Sequence, residues 1–162
     1  MQPASVRQAT SADLAALVPL FDGYRQFYGQ PSERDRVREF LNERLTQGDS
    51  VLFIAEAAGR AVGFTQLYPS FSSISMARIF ILNDLFVVPE ARRSGVARRL
   101  LEAAVGRGRE AGAIRLSLST ALTNAAAQAL YASAGWERDV VFGMNHYPLL
   151  KPIPPTRSDA AP

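Results

Sequence analysis

The segment from Asn83 to Ala97 reads NDLFVVPEARRSGVA and indicates a strand, a short basic loop and the start of a helix. Positions 85–88 are apolar, and Pro89 ends the strand because proline has no backbone N–H for a sheet ladder. Gly95 and Ala97 are small, so an anion can approach the backbone closely there. The first turn of a helix has unpaired N–H groups and a partial positive charge. The segment therefore predicts a pyrophosphate site at the start of a helix.

Basic side chains surround this helix start, and arginine guanidinium groups bind phosphate well. The alternative is a basic helix start that binds no ligand at all. We expect the phosphate-binding residues to be Arg92, Arg93, Ser94, Gly95, Val96, Ala97 and Arg98.

A second motif follows one predicted strand later. Asn124 begins the run NAAAQALY, which ends at Tyr131, and the residues AGW follow at 134–136. The first motif, Arg92-x-x-Gly95-x-Ala97, resembles the acyl-CoA signature of the GNAT superfamily, Gln/Arg-x-x-Gly-x-Gly/Ala. The second resembles the downstream element of the same family, and the two occur in the family's order. The resemblance covers roughly residues 5–149.

This resemblance implies an N-acetyltransferase that moves the acetyl group of acetyl-CoA directly to a primary amine. It implies that backbone groups of Leu85, Phe86 and Val87 contact pantetheine and the acetyl carbonyl, where the family's strands splay apart. Asn124 would contact pantetheine, cap its helix, or do both. The serines of positions 70–75 have no His/Asp partner pattern, so an acyl-enzyme is not expected.

Thioester aminolysis requires a neutral amine and a proton for the leaving thiolate. The resemblance implies that Tyr131 is the acid that protonates the thiolate. The alternative is that Tyr131 is a core residue, since a tyrosine at helical spacing is also typical of a hydrophobic core. The base is left open between Asp84 and a water held by Asn83 and Asp84. His146, the sole histidine, titrates in a suitable range but is more typical of a surface position. Cysteine is absent, and no metal site is expected.

The predicted fold class is α/β, a mixed α+β arrangement with one GNAT-like domain over residues 1–150. Its central mixed sheet is splayed at the cofactor site and has helices on both faces. The proline-rich tail, 151–162, is expected to be disordered. The predicted strands are 5–9, 51–57, 61–68, 77–88, 114–119 and 140–149, and the predicted helices begin near Ser11, Ser32, Ser94 and Ala125.

Composition limits the alternatives. The net charge is +3 and the pI about 9.7, with arginine at all but one of the 18 basic positions. We interpret this as a solvated basic surface and expect no nucleic-acid binding, although Ala91–Leu101 could imitate a basic recognition helix of a DNA-binding protein.

No apolar run approaches the roughly 20 residues of a membrane span, so we expect a cytoplasmic protein and no membrane partner. An acyl-CoA sensor without turnover is a further alternative.

Within the superfamily, residues 81–87 most resemble yeast histone and polyamine acetyltransferases and diamine N-acetyltransferases. The diamine enzymes carry glutamate at the position of Asn83 and a carboxylate near Arg25, which argues against a diamine acceptor. We expect a small-molecule amine, with a protein lysine or a polyamine as the alternative, and a carboxylate on the acceptor could pair with Arg25. The polar candidates for the acceptor site are Asp22, Tyr24, Tyr28, Tyr68 and Asp84.

The family resemblance also implies a homodimer. Part of its contact could come from the apolar residues of the last segment, whose other role would be a final core strand. These residues are Val140, Val141, Phe142, Met144 and Tyr147.

Overall fold

The computed structural model of the chain describes residues 4–146 and 149. The described elements follow the order β-α-α-β-β-β-α-β-α. They are β1 (Ser5–Gln8), α1 (Leu14–Phe27), α2 (Arg34–Gln47), β2 (Val51–Ala57), β3 (Arg60–Ser72), β4 (Ala77–Val87), α3 (Val96–Glu110), β5 (Leu116–Ser117) and α4 (Ala125–Ser133).

Local sequence signals set several of these boundaries. Thr10 and Asp13 form a capping box ahead of α1, in which each side chain accepts a hydrogen bond from a backbone N–H. Gly48 ends α2 with a φ of 64°, a left-handed conformation that glycine adopts without strain. The helix predicted to begin near Ser11 thus has a local start signal, and α2 has a local stop signal.

The sheet has the strand order β1-β2-β3-β4-β5, antiparallel except for the parallel pair β4–β5. Its two faces bury different clusters. Phe64 and Phe86 pack with α1 and α2 on one face. Leu67, Leu82 and Val87 pack with α3 on the other. The fold is therefore the predicted α/β domain, with one mixed sheet between helical layers.

The neighbours of β4 diverge along its length. β3 pairs with β4 as far as Gly63 opposite Val87, whereas β5 pairs with β4 only at Phe80 and Ile81. Within the described part of the chain, residues 82–87 consequently have a strand neighbour on one side alone. The register between β3 and β4 also shifts at Asn83, which is an extra residue in β4, a bulge that bends the strand. The predicted splay of the sheet is thus present.

The predicted strands 61–68 and 77–88 leave the serine-rich stretch 69–75 outside the sheet as a loop, and that prediction is wrong for its first half. β3 continues to Ser72, which lies opposite Ala77, and only a short turn remains before β4. The long β3–β4 hairpin is possible because serine fits an exposed strand end as well as a loop. The strand predicted at 114–119 is likewise shortened to Leu116–Ser117.

The predicted final strand, 140–149, does not form over residues 140–146. The backbone N–H groups of Val141 and Phe142 both donate to Asp139 Oδ1, at 2.8 and 2.9 Å. An aspartate that takes two successive N–H groups in this way gives the backbone a turn in place of a sheet ladder. Residues 147, 148 and 150, and the predicted disordered tail 151–162, lie outside the described residues.

Candidate active site

The loop between β4 and α3 presents backbone N–H groups to an open space. Arg93 and Gly95 both have left-handed backbone conformations, with φ of 58° and 83°, and Gly95 is the N-cap of α3 without a side-chain cap. No heavy atom lies within 4 Å of the position where a Cβ on Gly95 would stand. The first turn of α3 therefore has the features that a pyrophosphate needs.

The side chains predicted around this turn have unequal roles. Arg93 is exposed, whereas Val96 is buried in the core, so Val96 can offer a ligand only its backbone N–H. Ser94 Oγ donates to the carbonyl of Ala91 at 2.6 Å and stabilises the loop. Ala97 is half-buried against the core. The arrangement agrees with recognition by main-chain groups plus nearby positive charge.

Two of the predicted phosphate-binding arginines also make contacts within the protein. Arg92 Nε donates to the carbonyl of Val87 at 3.0 Å, and its guanidinium lies 5.8 and 5.9 Å from the ring centres of Phe27 and Phe86. Arg98 donates to the backbone oxygen and the hydroxyl of Ser133, at 3.2 and 2.8 Å. Arg92 thus ties the loop to the end of β4, and Arg98 ties α3 to α4.

A cleft opens where β4 and β5 diverge, and it brings together seven residues that the sequence predicts for the site. These are Tyr24, Tyr28, Asn83, Leu85, Phe86, Asn124 and Tyr131. The rest of the lining consists of Phe27, Leu82, Leu118, Ser119, Thr120 and Ala127. Sequence reasoning misses the stretch 118–120, whose only signal is its position directly after the strand that diverges.

Asn124 holds one wall of this cleft. Its side-chain oxygen accepts a hydrogen bond from the N–H of Ala127 at 3.1 Å and so caps α4. Gln128 on the same helix donates to the carbonyls of Ala121 and Leu122. The loop before α4 is therefore fastened to the helix that carries Tyr131.

Tyr131 is partly buried on α4, with its ring tilted against Trp136 at 6.1 Å between centres. Burial, together with the neighbouring Tyr28, raises the pKa of the Tyr131 hydroxyl to about 12. Among the described residues this hydroxyl has no hydrogen-bond partner. At neutral pH it is therefore a protonated group at the cleft, able to donate to an anion.

Asp84 lies on the α1 side of the sheet and is only 2% exposed. Its two oxygens accept hydrogen bonds from Gln66 Nε2 at 2.8 Å and from Asn83 Nδ2 at 3.1 Å. Burial raises the pKa of the Asp84 carboxyl, while these amides and the nearby Tyr24 hydroxyl oppose that rise. The Tyr24 hydroxyl itself donates to the carbonyl of Asn83 at 3.3 Å.

Two residues that are predicted to bind the acceptor, Asp22 and Arg25, make hydrogen bonds within the protein instead. Asp22 is 1% exposed and accepts from Ser32 Oγ at 2.6 Å and from the N–H of Glu33 at 2.9 Å. Arg25 donates to Glu33 Oε2 at 2.6 Å and to the carbonyl of Pro31 at 3.2 Å. Both side chains fasten the loop between α1 and α2, because an unpaired buried charge would be costly there. The prediction that they face the acceptor is therefore wrong.

Other sequence signals lie away from the cleft. His146 is exposed and does not line it. In the described ranges, no group of three or more His, Cys, Asp or Glu side chains could hold a metal ion. Of the helices the structure describes, none is both long and apolar enough to cross a membrane.

Comparison with known proteins agrees with this geometry. The model of the acetyltransferase (GNAT) family matches residues 17–136. The uncharacterized N-acetyltransferase YhfO of Bacillus subtilis is 49% identical over 148 residues, 91% of this chain and 98% of that protein. An aminoglycoside N(6')-acetyltransferase type 1 of Stenotrophomonas maltophilia is 30% identical over 82% of this chain and 86% of its own length. The crystal structure of a probable acetyltransferase superposes with a TM-score of 0.87 at 43% identity, covering 91% of this chain and 99% of that one.

The chain belongs to the GNAT acetyltransferase family. It is an acetyl-CoA-dependent acyltransferase. The helix that could imitate a recognition helix is α3, which directly follows a buried strand and its loop.

The open space at Gly95 leads to a prediction about cofactor affinity. Gly95→Asp should weaken acetyl-CoA binding strongly, because it places a negative charge beside the phosphates. Gly95→Asn is the matched control, since asparagine has the same shape, tolerates a left-handed backbone equally well and carries no charge. We expect calorimetry to give at least about a tenfold higher Kd for the aspartate variant than for the asparagine variant. Equal Kd values for the two variants would contradict the assignment of this loop.

Proposed function

We propose that this enzyme transfers the acetyl group of acetyl-CoA directly to the primary amine of a small molecule. The observation that carries the proposal is the cleft between the diverging strands, which has Tyr131 on one wall and lies beside the buried carboxylate of Asp84. The relationship to an aminoglycoside N-acetyltransferase supports a small-molecule acceptor. A protein lysine or a polyamine is the alternative acceptor.

The cosubstrate would bind along the half-paired part of β4. The N–H groups at the start of α3 suit the pyrophosphate, with Arg93 adding positive charge. Backbone groups of residues 85–87 would contact pantetheine and polarise the acetyl carbonyl. The carbonyl of Val87 already accepts from Arg92, so Leu85 and Phe86 are the better candidates for these contacts.

The proton transfers follow from the two polar groups. Asp84, directly or through a water held with Asn83, takes a proton from the acceptor ammonium and leaves a neutral amine. The amine nitrogen then forms a bond to the acetyl carbon, and the carbon–sulfur bond breaks. Tyr131 gives its proton to the departing thiolate, and the excess proton of the new amide returns to solvent or to the tyrosinate. Two aligned groups of this kind accelerate the reaction by general acid–base catalysis.

Removal of the Tyr131 hydroxyl tests the acid. Tyr131→Phe keeps the ring that packs on Trp136, so folding and the Kd for acetyl-CoA should be unchanged. We expect kcat to fall by roughly 10²-fold or more, the usual scale for one general acid. A thiol-release assay with the best acceptor measures this, and full turnover by the variant would show that another group protonates the thiolate.

The acceptor site would lie on the α1 side of the cleft. Tyr24 and Tyr28 line that wall, and Asp84 and Tyr68 are close by on the sheet. These groups suit an ammonium group. Arg25 is paired with Glu33, so Arg25 does not provide a binding site for a carboxylate on the acceptor. This removes the argument for an amino-acid-like acceptor. We therefore favour a cationic amine without a neighbouring carboxylate.

A panel of acceptors tests this choice. We expect kcat/KM to be higher for simple amines and aminoglycosides than for free amino acids or lysine peptides. Arg25→Ala should leave the ranking unchanged and lower the free energy of unfolding by about 1 kcal/mol, since it removes a partly buried ion pair. Arg36→Ala is the control, because the more exposed Arg36 contacts the same Glu33 and should change the urea midpoint less. A changed ranking in Arg25→Ala would restore the amino-acid-like acceptor.

We also propose that the enzyme is a homodimer through its last described segment. Val140, Val141, Phe142 and Met144 are between 67% and 88% exposed, an apolar surface that a second copy could cover.

Light scattering tests this assembly. Wild type is expected at twice the monomer mass and Phe142→Asp at the monomer mass, because a charge would be buried in the contact. Ile74→Asp, at the exposed tip of the β3–β4 hairpin, is the control and should remain dimeric. A monomeric wild type at high concentration would end the proposal.

The proposal also includes three further points. They are kinship with the yeast histone and polyamine acetyltransferases, a cytoplasmic location and the absence of nucleic-acid binding.

A further inference from the structure

Gln66 is a fully buried polar residue in the middle of β3, with 0% exposure, and it lies directly opposite Asp84 in the sheet. Its amide nitrogen donates to Asp84 Oδ2 at 2.8 Å and to the hydroxyl of Tyr68 at 3.0 Å. Its amide oxygen accepts from Ser50 Oγ at 2.9 Å. A buried amide is retained in a core when its hydrogen bonds are satisfied, as they are here.

The orientation of this amide is dictated by its neighbours. An ionised carboxylate can only accept hydrogen bonds, so the Gln66 nitrogen must face Asp84. The opposite orientation would place the amide oxygen against a carboxylate oxygen, two acceptors with no hydrogen between them. Ser50 and Tyr68 have hydroxyls that adapt to the arrangement, because a hydroxyl can donate or accept.

The negative charge of Asp84 is surrounded by polar groups that carry no positive charge. Tyr24 and Tyr28 face it from α1, Tyr68 and Gln66 from β3, and Asn83 from its own strand. In the described part of the chain, no arginine or lysine forms an ion pair with it. The ionised form therefore depends on hydrogen bonds, and Gln66 supplies the shorter of the two amide contacts.

We propose that Gln66 is a positioning residue that keeps the carboxylate of Asp84 ionised and held in one orientation for the acceptor amine. This inference rests on the proposed role of Asp84 as base. Gln66 does not touch the substrate and acts through Asp84 alone. Its amide donates to the charged form, so its removal must raise the pKa of Asp84 and reduce the fraction of enzyme able to take a proton at pH values near that pKa.

The test compares Gln66→Met with wild type in two measurements. Methionine has a similar length and no donor. The pKa of the Asp84 carboxyl is measured by carbon NMR titration of the free enzyme, with its resonance identified from the Asp84→Asn spectrum. We expect an upward shift of about 1 unit, the usual scale for loss of one hydrogen bond to a carboxylate. The acidic limb of the profile of kcat/KM against pH should move upward by a similar amount.

Gln26→Met is the matched control. Gln26 Nε2 also donates to a buried carboxylate, that of Asp22, at 3.0 Å, but away from the cleft. This control variant should leave the pKa of Asp84 and the acidic limb unchanged. A shift common to both variants would indicate a general loosening of the fold and would overturn the inference.

Gln66→Glu covers the case in which Gln66→Met fails to fold. It preserves the shape and places a second carboxyl opposite Asp84, so that the pair shares a proton and its apparent pKa rises. An Asp84 pKa that stays at the wild-type value in the folded variants would overturn the role of Gln66. If instead the pKa shifts as expected but Asp84→Asn keeps full turnover, the control of the carboxyl by Gln66 is supported and the proposed base is wrong.

Discussion

The architecture of this enzyme depends on the hydrogen-bond ladder between β4 and β5, which stops partway along β4. β5 hydrogen-bonds with β4 at Phe80 and Ile81 and then diverges, while β3 stays paired to the end of β4. Backbone groups that would normally be satisfied by a neighbouring strand are left at a cleft instead, and such groups require a partner. A pantetheine chain can supply that partner, which gives a physical reason why a cosubstrate would bind along this edge. The two core clusters keep residues 82–87 of β4 in place although these residues are paired with a strand on one side only.

The two proposed catalytic groups come from opposite layers of the fold. Tyr131 comes from α4, and Asp84 lies on the face covered by α1, so neither group is near the other in sequence. Burial acts on both in the direction of the neutral form. For a tyrosine proposed to deliver a proton this is an advantage, whereas a carboxylate proposed to accept one needs stabilisation of its charge. The amides of Gln66 and Asn83 oppose the rise in the pKa of Asp84, and they do so without a cation that would repel an approaching ammonium group.

Much of the site could be predicted because its signals are local. Gly95, and the asparagine that caps α4, act within one helical turn of their own position. The occupied roles of Asp22 and Arg25 could not be predicted, since their partners Ser32 and Glu33 are set by how the loop after α1 folds back. That the final strand does not form over residues 140–146 could not be predicted either. The apolar alternation there does not reveal that Asp139 accepts hydrogen bonds from the backbone N–H groups of Val141 and Phe142.

The sequence by itself determined the order of elements from β1 to α4, the helix start that suits a pyrophosphate, and the family, because each depends on residues close together in the chain. The tertiary structure alone decided which side chains meet. It placed Gln66 against Asp84 through the β3–β4 register, and Tyr131 at the cleft through the packing of α4 on the sheet. Register and packing arise from contacts between residues far apart in the chain, whose energies are shared among many side chains. No local pattern in the sequence records them.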